Sequence, residues 1–316
     1  MIKGFEILTE SNTHEDLLKY REKGALRGVY LGFPMFHEHY TMSLPGVTDV
    51  TGFPGSGKSE FVLELLLNTS LYHGWRHLLY VPDVGDKNEI ISLLIHKLTG
   101  KTFDKRFENS NYISEKEVSM RLGWVLDHFR IMYKTDLKAK ITPYEFWDFA
   151  AEYKREHGIQ TATIDSWKDM KHDFSSFGRE DKYLEDCLSY RNAMSEHHKM
   201  QLITIIHPNK TDKGADGKRI APSPFDLKGG QEWFNNGKCM ITVHRVDGQV
   251  NMTNVIVTKA KPKSVAKLGT VPFYFDVAKN AYYTINENNN RAYASKDYIK
   301  PIALDIGSED DSEVPF

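Results

Sequence analysis

The chain has 316 residues, 27% of them charged and 40% hydrophobic, enough for one large domain or two small ones with a substantial core. Two cysteines, Cys187 and Cys239, exclude a disulfide scaffold and a four-thiolate zinc site. No apolar stretch approaches the ~18 residues that span a bilayer, and the first residues lack the basic-then-apolar pattern of a signal peptide. We therefore expect a chain that does not insert into membranes and works in a reducing, cytoplasmic compartment.

The formal net charge of −2 is unevenly distributed. Five acidic residues and no basic residue follow Lys300, so the body of the chain before it is mildly basic. A mildly basic body with an acidic tail is compatible with a nucleic-acid partner, although an ordinary solvated surface can carry the same charges. Charge alone leaves both interpretations open.

Apolar β-branched runs alternate with helical segments along most of the chain, which predicts an α/β fold with a mainly parallel sheet between helices. A short charged helix is expected first, over residues 12–24, capped by Asn12 or Thr13 and ended by Gly24. The expected strands cover residues 46–52, 77–83, 128–134, 161–165, 201–208 and 239–245, and the expected helices residues 58–73, 88–100 and 143–158.

These elements divide the chain into three parts. Residues 1–27 are expected to form a linker or docking helix, and residues 28–302 a single α/β domain. Residues 303–316 are too acidic and too poor in apolar groups to pack, so we expect a disordered tail.

The sharpest motif is the sequence GFPGSGKS at residues 52–59, which lies between a predicted strand and a predicted helix. Its glycines allow the backbone N–H groups to surround a phosphate, and the following helix directs its positive end at the anion. Lys58 would neutralise the β- and γ-phosphates of ATP, and the Ser59 hydroxyl would hold Mg²⁺. Nucleotide binding is therefore assigned to Gly52, Gly55, Ser56, Gly57, Lys58 and Ser59.

Two carboxylates follow predicted strands and are candidates for the same site. Asp165 ends an apolar run, and at the carboxyl edge of the sheet it would position the magnesium ion. Asp83 ends another strand and could act as general base toward the attacking water. A turn-forming role for Asp83 in the sequence PDVGD is nearly as well supported.

Several segments in order, GFPGSGKSEF, YVPD…IHKLTGK, ATIDSW, IIHPNK and GGQEWFNNGKCMITVHR, resemble the RecA-type motor domain of DnaB-like replicative helicases, especially the Twinkle-like and phage primase-helicase branch. The resemblance covers roughly residues 28–285. It implies a RecA-like P-loop NTPase fold and a DNA-dependent ATPase that uses ATP and Mg²⁺.

The resemblance also implies roles for single residues. Asp83 would stand where the family has a catalytic glutamate, and His207 would be the sensor of the γ-phosphate. Lys259 and Lys261 would complete the ATP site of a neighbouring subunit, and their spacing of two places both on one side of an extended strand. The family usually has an arginine at the second position, and the lysine pair looks more like that of RecA recombinases. Arg245 matches a further family arginine at the nucleotide.

In such motor domains, single-stranded DNA binds to the loops that follow the Asp165 and His207 strands. The first loop, residues 166–181, mixes basic with aromatic side chains, a composition that suits phosphate tracking and base stacking: Lys168, Lys171 and Arg179 with Trp167, Phe174 and Phe177. The second loop, residues 208–230, has a net positive bias from Lys210, Lys213, Lys218, Arg219 and Lys228.

The leading hypothesis is therefore a replicative-type DNA helicase that moves along single-stranded DNA as a ring, expected to be a homo-hexamer. The acidic tail, ending at Phe316, resembles the tip of bacterial single-strand-binding proteins, which implies docking on a separate primase or other replication proteins. Two alternatives stay open: a RecA-like recombinase or strand-annealing filament, and an ATP-regulated DNA-binding loader. If the source is viral, the compartment would be the host cytoplasm.

Overall fold

The computed structural model describes residues 4, 6–25, 27–82, 86–107, 111–136, 138–209, 213–215 and 217–294. Asp83, Lys210 and the acidic tail at 303–316 lie outside the described residues. Within this part of the chain the strands are β1 (Gly46–Thr51), β2 (His77–Tyr80), β3 (Phe129–Met132), β4 (Thr161–Asp165), β5 (Gln201–Ile206), β6 (Cys239–Arg245), β7 (Met252–Lys259), β8 (Gly269–Asp276), β9 (Ala281–Ile285) and β10 (Arg291–Tyr293).

The helices of the same residues are α1 (Glu10–Lys23), α2 (Pro34–His37), α3 (Lys58–His73), α4 (Lys87–Thr99), α5 (Glu115–His128), α6 (Pro143–His157), α7 (Glu180–His198) and α8 (Gly230–Asn236). None of them combines the length and the hydropathy that a membrane span requires.

The described strands form one sheet in the order β10-β9-β8-β7-β6-β1-β5-β4-β2-β3. Strands β3, β2, β4, β5, β1 and β6 pair in parallel, whereas β7 to β10 extend the sheet as an antiparallel meander. The parallel half confirms the predicted architecture. The antiparallel extension beyond β7 is an addition that the sequence patterns did not indicate.

Both faces of the parallel sheet are buried, as its apolar runs predict. On β5, Ile203 and Ile205 belong to the apolar cluster under α3, α4 and α5, and the alternate residues Leu202 and Ile206 belong to the cluster under α6, α7 and α8. This alternation follows from the period of two in a strand. The sheet is therefore the middle layer between two sets of helices.

Local end signals set several helix boundaries as expected. Gly74, Gly100 and Gly158 adopt the left-handed conformation after α3, α4 and α6, which residues with a Cβ rarely adopt. The predicted N-cap of α1, Asn12 or Thr13, was wrong by at least three residues. Its N-cap is Thr9, whose backbone N–H donates to Asn12 Oδ1 at 2.8 Å, so Asn12 acts from inside the first turn.

A buried ion pair joins the central strand β1 to α7. Arg191 and Asp49 are 0% and 1% exposed in their side chains, and Arg191 Nη2 donates to Asp49 Oδ2 at 3.2 Å. Arg191 Nη1 also donates to Thr204 Oγ1 on β5 at 3.1 Å, and the guanidinium lies over the Trp233 ring. One side chain therefore fastens α7 to two strands and to α8.

We predict that Arg191→Met lowers the free energy of unfolding by about 3–5 kcal/mol, because it leaves the Asp49 carboxylate buried without its partner. Denaturant unfolding measures the loss, and Asp49→Val combined with Arg191→Met should recover most of it. The matched control is Arg155→Met, which breaks an exposed pair with Glu152 and should cost less than about 1 kcal/mol. Equal losses in the two single variants would contradict the assigned role.

Candidate nucleotide-binding site

The loop at residues 52–57 joins β1 to α3 and depends on glycine at two positions. Gly52 and Gly57 have φ angles of 152° and 89°. A Cβ on Gly52 would lie 2.1 Å from the Val243 carbonyl oxygen, and one on Gly57 would lie 2.4 Å from Tyr282 Oη. The loop can therefore curl tightly only with glycine at both positions.

Lys58, the first residue of α3, folds back into this loop. Its Nζ donates to the carbonyl oxygens of Gly52 at 2.8 Å and Phe53 at 2.9 Å. Burial lowers the pKa of Lys58 to about 8, with the negative charge of Asp165 opposing this shift and the positive charge of Lys168 adding to it. An anion bound at the loop would favour the charged ammonium and reverse the shift.

The residues present fit a magnesium–nucleotide group. Among the described residues, the buried Ser56 Oγ and Thr51 Oγ1 have no hydrogen-bond partner, which is unusual for buried hydroxyls. Ser59 lies in the first turn of α3, where the helix dipole favours an anion. Lys58 would hold the phosphates, and Ser59 with Asp165 would hold the metal ion.

Three further predicted residues lie at the same edge of the sheet as the loop. Asp165 ends β4, His207 follows β5 and Arg245 ends β6; β5 and β6 flank β1 in the sheet, and β4 lies next to β5. The register places Asp165 opposite Ile205, next to the level of Thr51, which pairs with Ile206. The carboxyl ends of parallel strands thus bring together residues that are far apart in the sequence.

Tyr282 on β9 closes the loop from the antiparallel part of the sheet. Its hydroxyl donates to the Gly57 carbonyl oxygen at 3.2 Å, and its ring packs edge-on against Phe61. Burial raises the pKa of Tyr282, the charges of Glu60 and Glu64 add to this, and the nearby charge of Arg245 opposes it. Sequence reasoning missed Tyr282 because no motif marks a residue 225 positions away from its partner.

A mostly buried cluster of charged side chains stabilises the N-terminal half of α3. The Lys97 side chain, 0% exposed, places Nζ 2.7 Å from Glu60 Oε2 and 3.3 Å from Glu64 Oε2. It also donates to the Asn280 carbonyl oxygen at 3.0 Å. The cluster therefore joins α3 and α4 to the turn before β9, and only the fold brings these residues together.

Lys259 and Lys261 do not share a strand face, so that prediction was wrong. Strand β7 ends at Lys259, and Lys261 lies in the turn beyond it. Lys259 is buried and donates to the carbonyl oxygens of Phe234 and Asn235, at the C-terminal end of α8, where a cation is stabilised. Lys261 is exposed and is the residue of the pair that a neighbouring molecule could contact.

Neither lysine lies beside the loop at residues 52–57 of its own chain, which we call the nucleotide loop. Lys259 pairs with Met240, which is level with Asp49 in the middle of β1, and Lys261 lines a cavity together with Gly46 and Val47 at the amino end of β1. The 6 residues of strand β1 separate the level of Gly46 from Gly52 by roughly 20 Å. A role for Lys261 in nucleotide chemistry therefore requires a second copy of the chain.

The first basic loop, residues 166–181, is more ordered by its own contacts than expected. The rings of Trp167 and Phe174 pack edge-on against Trp233 and Tyr183, with centroids 5.0 and 5.1 Å apart. Both side chains are partly buried and pack against the core, so less of each ring is left for stacking on bases than the composition of the loop suggests. Phe177 is 38% exposed.

The basic side chains of the two loops fall into two groups. Arg179 and Lys228 form ion pairs with Asp181 at 2.6 Å and Glu180 at 2.8 Å. The other basic residues on the described parts of the loops are exposed to solvent, and they are Lys168, Lys171, Lys213, Lys218 and Arg219.

The second loop also contacts the nucleotide loop. The Arg219 guanidinium lies 5.8 Å from the centre of the Phe53 ring, within range of a cation–π interaction. Its backbone N–H donates to Asp247 Oδ2 at 2.9 Å, which fixes this part of the loop beside the end of β6. A residue expected to bind DNA thus touches the loop expected to bind nucleotide.

Comparison with known proteins gives a curated relative and several solved structures. No family model matches the chain. A "Twinkle homolog protein, chloroplastic/mitochondrial" from Arabidopsis thaliana is 24% identical over 269 residues, 83% of this chain. The chain spans only 37% of the length of that relative.

Two solved structures match over most of the chain. One is an isolated ATPase domain, with a TM-score of 0.70 at 17% identity, covering 89% of this chain and 100% of that one. The other, a "DnaB-Like Replicative Helicase" described with its primase interactions, has a TM-score of 0.67 at 17% identity, covering 90% of this chain and 69% of that one. The expected resemblance to DnaB-like and Twinkle-like motor domains is confirmed. The chain has the RecA-like ATPase fold of these domains.

We predict that Gly57→Ala destabilises this fold more than Gly55→Ala does, by about 1–3 kcal/mol. Both substitutions force a residue with a Cβ into a left-handed conformation, but only the one at Gly57 also meets Tyr282, since the space beside Gly55 is open. The measurement is the free energy of unfolding in denaturant.

The control is the variant that combines Gly57→Ala with Tyr282→Phe. Removing the hydroxyl relieves the overlap, so Gly57→Ala should cost less in the Tyr282→Phe background than in the natural chain. An equal cost in both backgrounds would show that Tyr282 does not close the loop.

Proposed function

We propose that this chain is the motor domain of a replicative-type DNA helicase that hydrolyses ATP and moves along single-stranded DNA as a ring. The observation that carries the proposal is the common sheet edge. The nucleotide loop, Asp165 and His207 lie there, and the two basic loops leave from the same strand ends. The similarity to DnaB-like and Twinkle-like proteins supports the same assignment.

The proposed roles of the residues at this edge, and of Asp83, which lies outside the described residues, are as follows. Lys58 and the N-terminal end of α3 would bind the triphosphate, and Ser59 with Asp165 would hold Mg²⁺, which when bound would supply positive charge to stabilise the phosphates during transfer. Asp83 is the proposed base for the attacking water, and Arg245 contacts the nucleotide near Tyr282. His207 responds to the γ-phosphate and passes the change to the second loop.

The second loop is the proposed link between nucleotide and DNA. Solvent-exposed positive charge for the phosphate backbone of DNA comes from Lys213 and Lys218 of this loop, together with Lys168 and Lys171 of the first loop. Arg219 packs on Phe53, so displacement of the nucleotide loop moves the base of the DNA loop directly. Stacking of the bases on Trp167 or Phe174 would be limited, since both rings are partly buried against the core.

The position of Lys261, at the end of the sheet opposite the nucleotide edge of its own chain, supports the proposal of a ring. In a closed ring, each subunit would place the end of its sheet that carries Lys261 against the nucleotide of the next subunit. A homo-hexamer is proposed. The exposed helix α1, none of whose residues is buried, is the proposed linker or docking element. Because Lys259 is buried against the end of α8, the two lysines are not presented together, which makes them a weaker basis for the recombinase alternative.

The test of the function is unwinding of a forked DNA duplex, measured together with ATP turnover at increasing single-stranded DNA. We predict that single strands stimulate turnover and that Lys58→Ala abolishes both activities, because the phosphates lose their buried cation. The control Lys116→Ala changes an exposed lysine of α5 and should leave both activities unchanged. A turnover that is indifferent to added single strands would contradict the proposal.

A mixing experiment tests whether the site is shared between subunits. Lys261→Ala and Asp165→Asn should each be inactive or nearly so, and Lys261→Ala should still bind nucleotide. In a random equal mixture about one quarter of the interfaces combine an intact Asp165 with an intact neighbouring Lys261, so turnover should recover to about that fraction. No recovery, in subunits shown to exchange, would place Lys261 outside the shared site.

A further inference from the structure

A groove of about 720 Å³ lies between the C-terminal end of α8 and the segment that follows β7. We call it the lysine groove. Its apolar walls come from Phe234, Ala260, Ala266 and Leu268, and its cations are Lys259, Lys261, Lys263 and Lys267. The volume is in the range of ordinary ligand sites, roughly 300–1,000 Å³.

The positive charge of the groove is not balanced by the described part of the chain. Within those residues, no carboxylate lies within ion-pair distance of Lys261, Lys263 or Lys267, and all three side chains are exposed. Burial and the neighbouring charge of Lys261 lower the pKa of Lys259. An anionic ligand would relieve this repulsion between cations.

The apolar part of the groove narrows the class of ligand. Leu268 is 61% exposed, and the Phe234 ring lies beneath the Lys259 ammonium. A nucleic-acid backbone would satisfy the lysines but would gain little from Leu268 and the alanines. A peptide that combines carboxylates with apolar side chains would satisfy both parts of the groove.

We propose that the acidic segment at residues 303–316 of the same chain docks in the lysine groove. The segment contains five carboxylates and no basic residue, and its carboxylates are followed by Val314, Pro315 and Phe316. Its carboxylates pair with Lys261, Lys263 and Lys267, and its apolar residues cover Leu268 and Phe234.

The length of the connecting chain permits this contact. The carboxylates at residues 305–313 follow Ala294 by 11 to 19 residues, so a fully extended chain carries them about 35–60 Å from it, comparable with the diameter of a domain of this size. Because both partners belong to one chain, the effective concentration of the segment at the groove is about millimolar, so individually weak ion pairs suffice.

Docking also affects the proposed motor. The segment would cover Lys261 and withhold it from the nucleotide of the neighbouring subunit, which would reduce turnover. This consequence rests on the proposed function, whereas the docking itself does not. The docking is therefore tested by measuring contact between the segment and the groove, and not by measuring ATP turnover.

The experiment is zero-length carbodiimide cross-linking of the full-length chain, followed by peptide mass spectrometry. We expect amide links between carboxylates of residues 303–316 and Lys261, Lys263 or Lys267. The ion pair between Lys228 and Glu180, at 2.8 Å, is the internal reference for the reaction. If the link between Lys228 and Glu180 forms but no link joins the acidic segment to the groove, the proposal is overturned.

Charge reversal provides the matched controls. Lys261→Glu, Lys263→Glu and Lys267→Glu together should reduce the links at least tenfold, and adding Asp310→Lys, Asp311→Lys and Glu313→Lys should restore links of reversed polarity. The same change of charge at exposed lysines elsewhere, Lys19→Glu, Lys116→Glu and Lys182→Glu, should leave the links unchanged. Equal loss in both triple variants would show only a general charge effect and would overturn the assignment.

A competition separates the peptide from nucleic acid as the occupant. A single-stranded oligonucleotide that protects the groove lysines from chemical acetylation, in a chain whose acidic segment gives no links there, would assign the groove to nucleic acid. Links that persist when the oligonucleotide is bound support the segment as the occupant. Neither result depends on whether the chain unwinds DNA.

Discussion

The site depends on the common direction of the strands around β1. Strands β4, β5, β1 and β6 run in parallel, so their carboxyl ends lie at one edge of the sheet, where the nucleotide loop begins. This edge therefore carries Asp165, His207 and Arg245, although up to 193 positions separate them from Gly52 in the sequence. The same direction makes the two basic loops leave from this edge. A conformational change at the nucleotide loop therefore has to cross only neighbouring strand ends to reach the two basic loops.

The features that the sequence predicted well have short-range causes. The loop at 52–59, the glycine ends of α3, α4 and α6, and Pro143 at the start of α6 each depend on backbone preferences within a few residues. The parallel sheet follows from apolar runs separated by helices, because both its faces are buried. These signals sufficed for the fold of the first six strands and for the nucleotide loop.

Apart from the start of α1, the predictions that the structure corrects concern where side chains point, which composition does not determine. Trp167 and Phe174 lie in a loop rich in lysine, but each ring gains more by packing on Trp233 or Tyr183 than by facing water. Lys259 points inward because its ammonium donates to a carbonyl oxygen at the end of α8, whereas Lys261 lies beyond the end of β7 and faces solvent. Tyr282 and Lys97 needed the antiparallel strands, whose contacts with the nucleotide loop and α4 are all long-range.

The two ends of β1 share one requirement, an anion. At the carboxyl end lie the buried hydroxyls and the Lys58 ammonium, and at the amino end the lysine groove presents cations that the described residues do not neutralise. In the proposed ring, a nucleotide held at the edge of one copy would lie against the groove of the next, so one anion would serve both ends, whereas the acidic segment would serve only the groove. Because both proposed occupants contact Lys261, they would exclude each other. Assembly and docking of the segment would then be competing states of one surface, and the nucleotide, which adds negative charge at the shared interface, would shift the balance toward assembly.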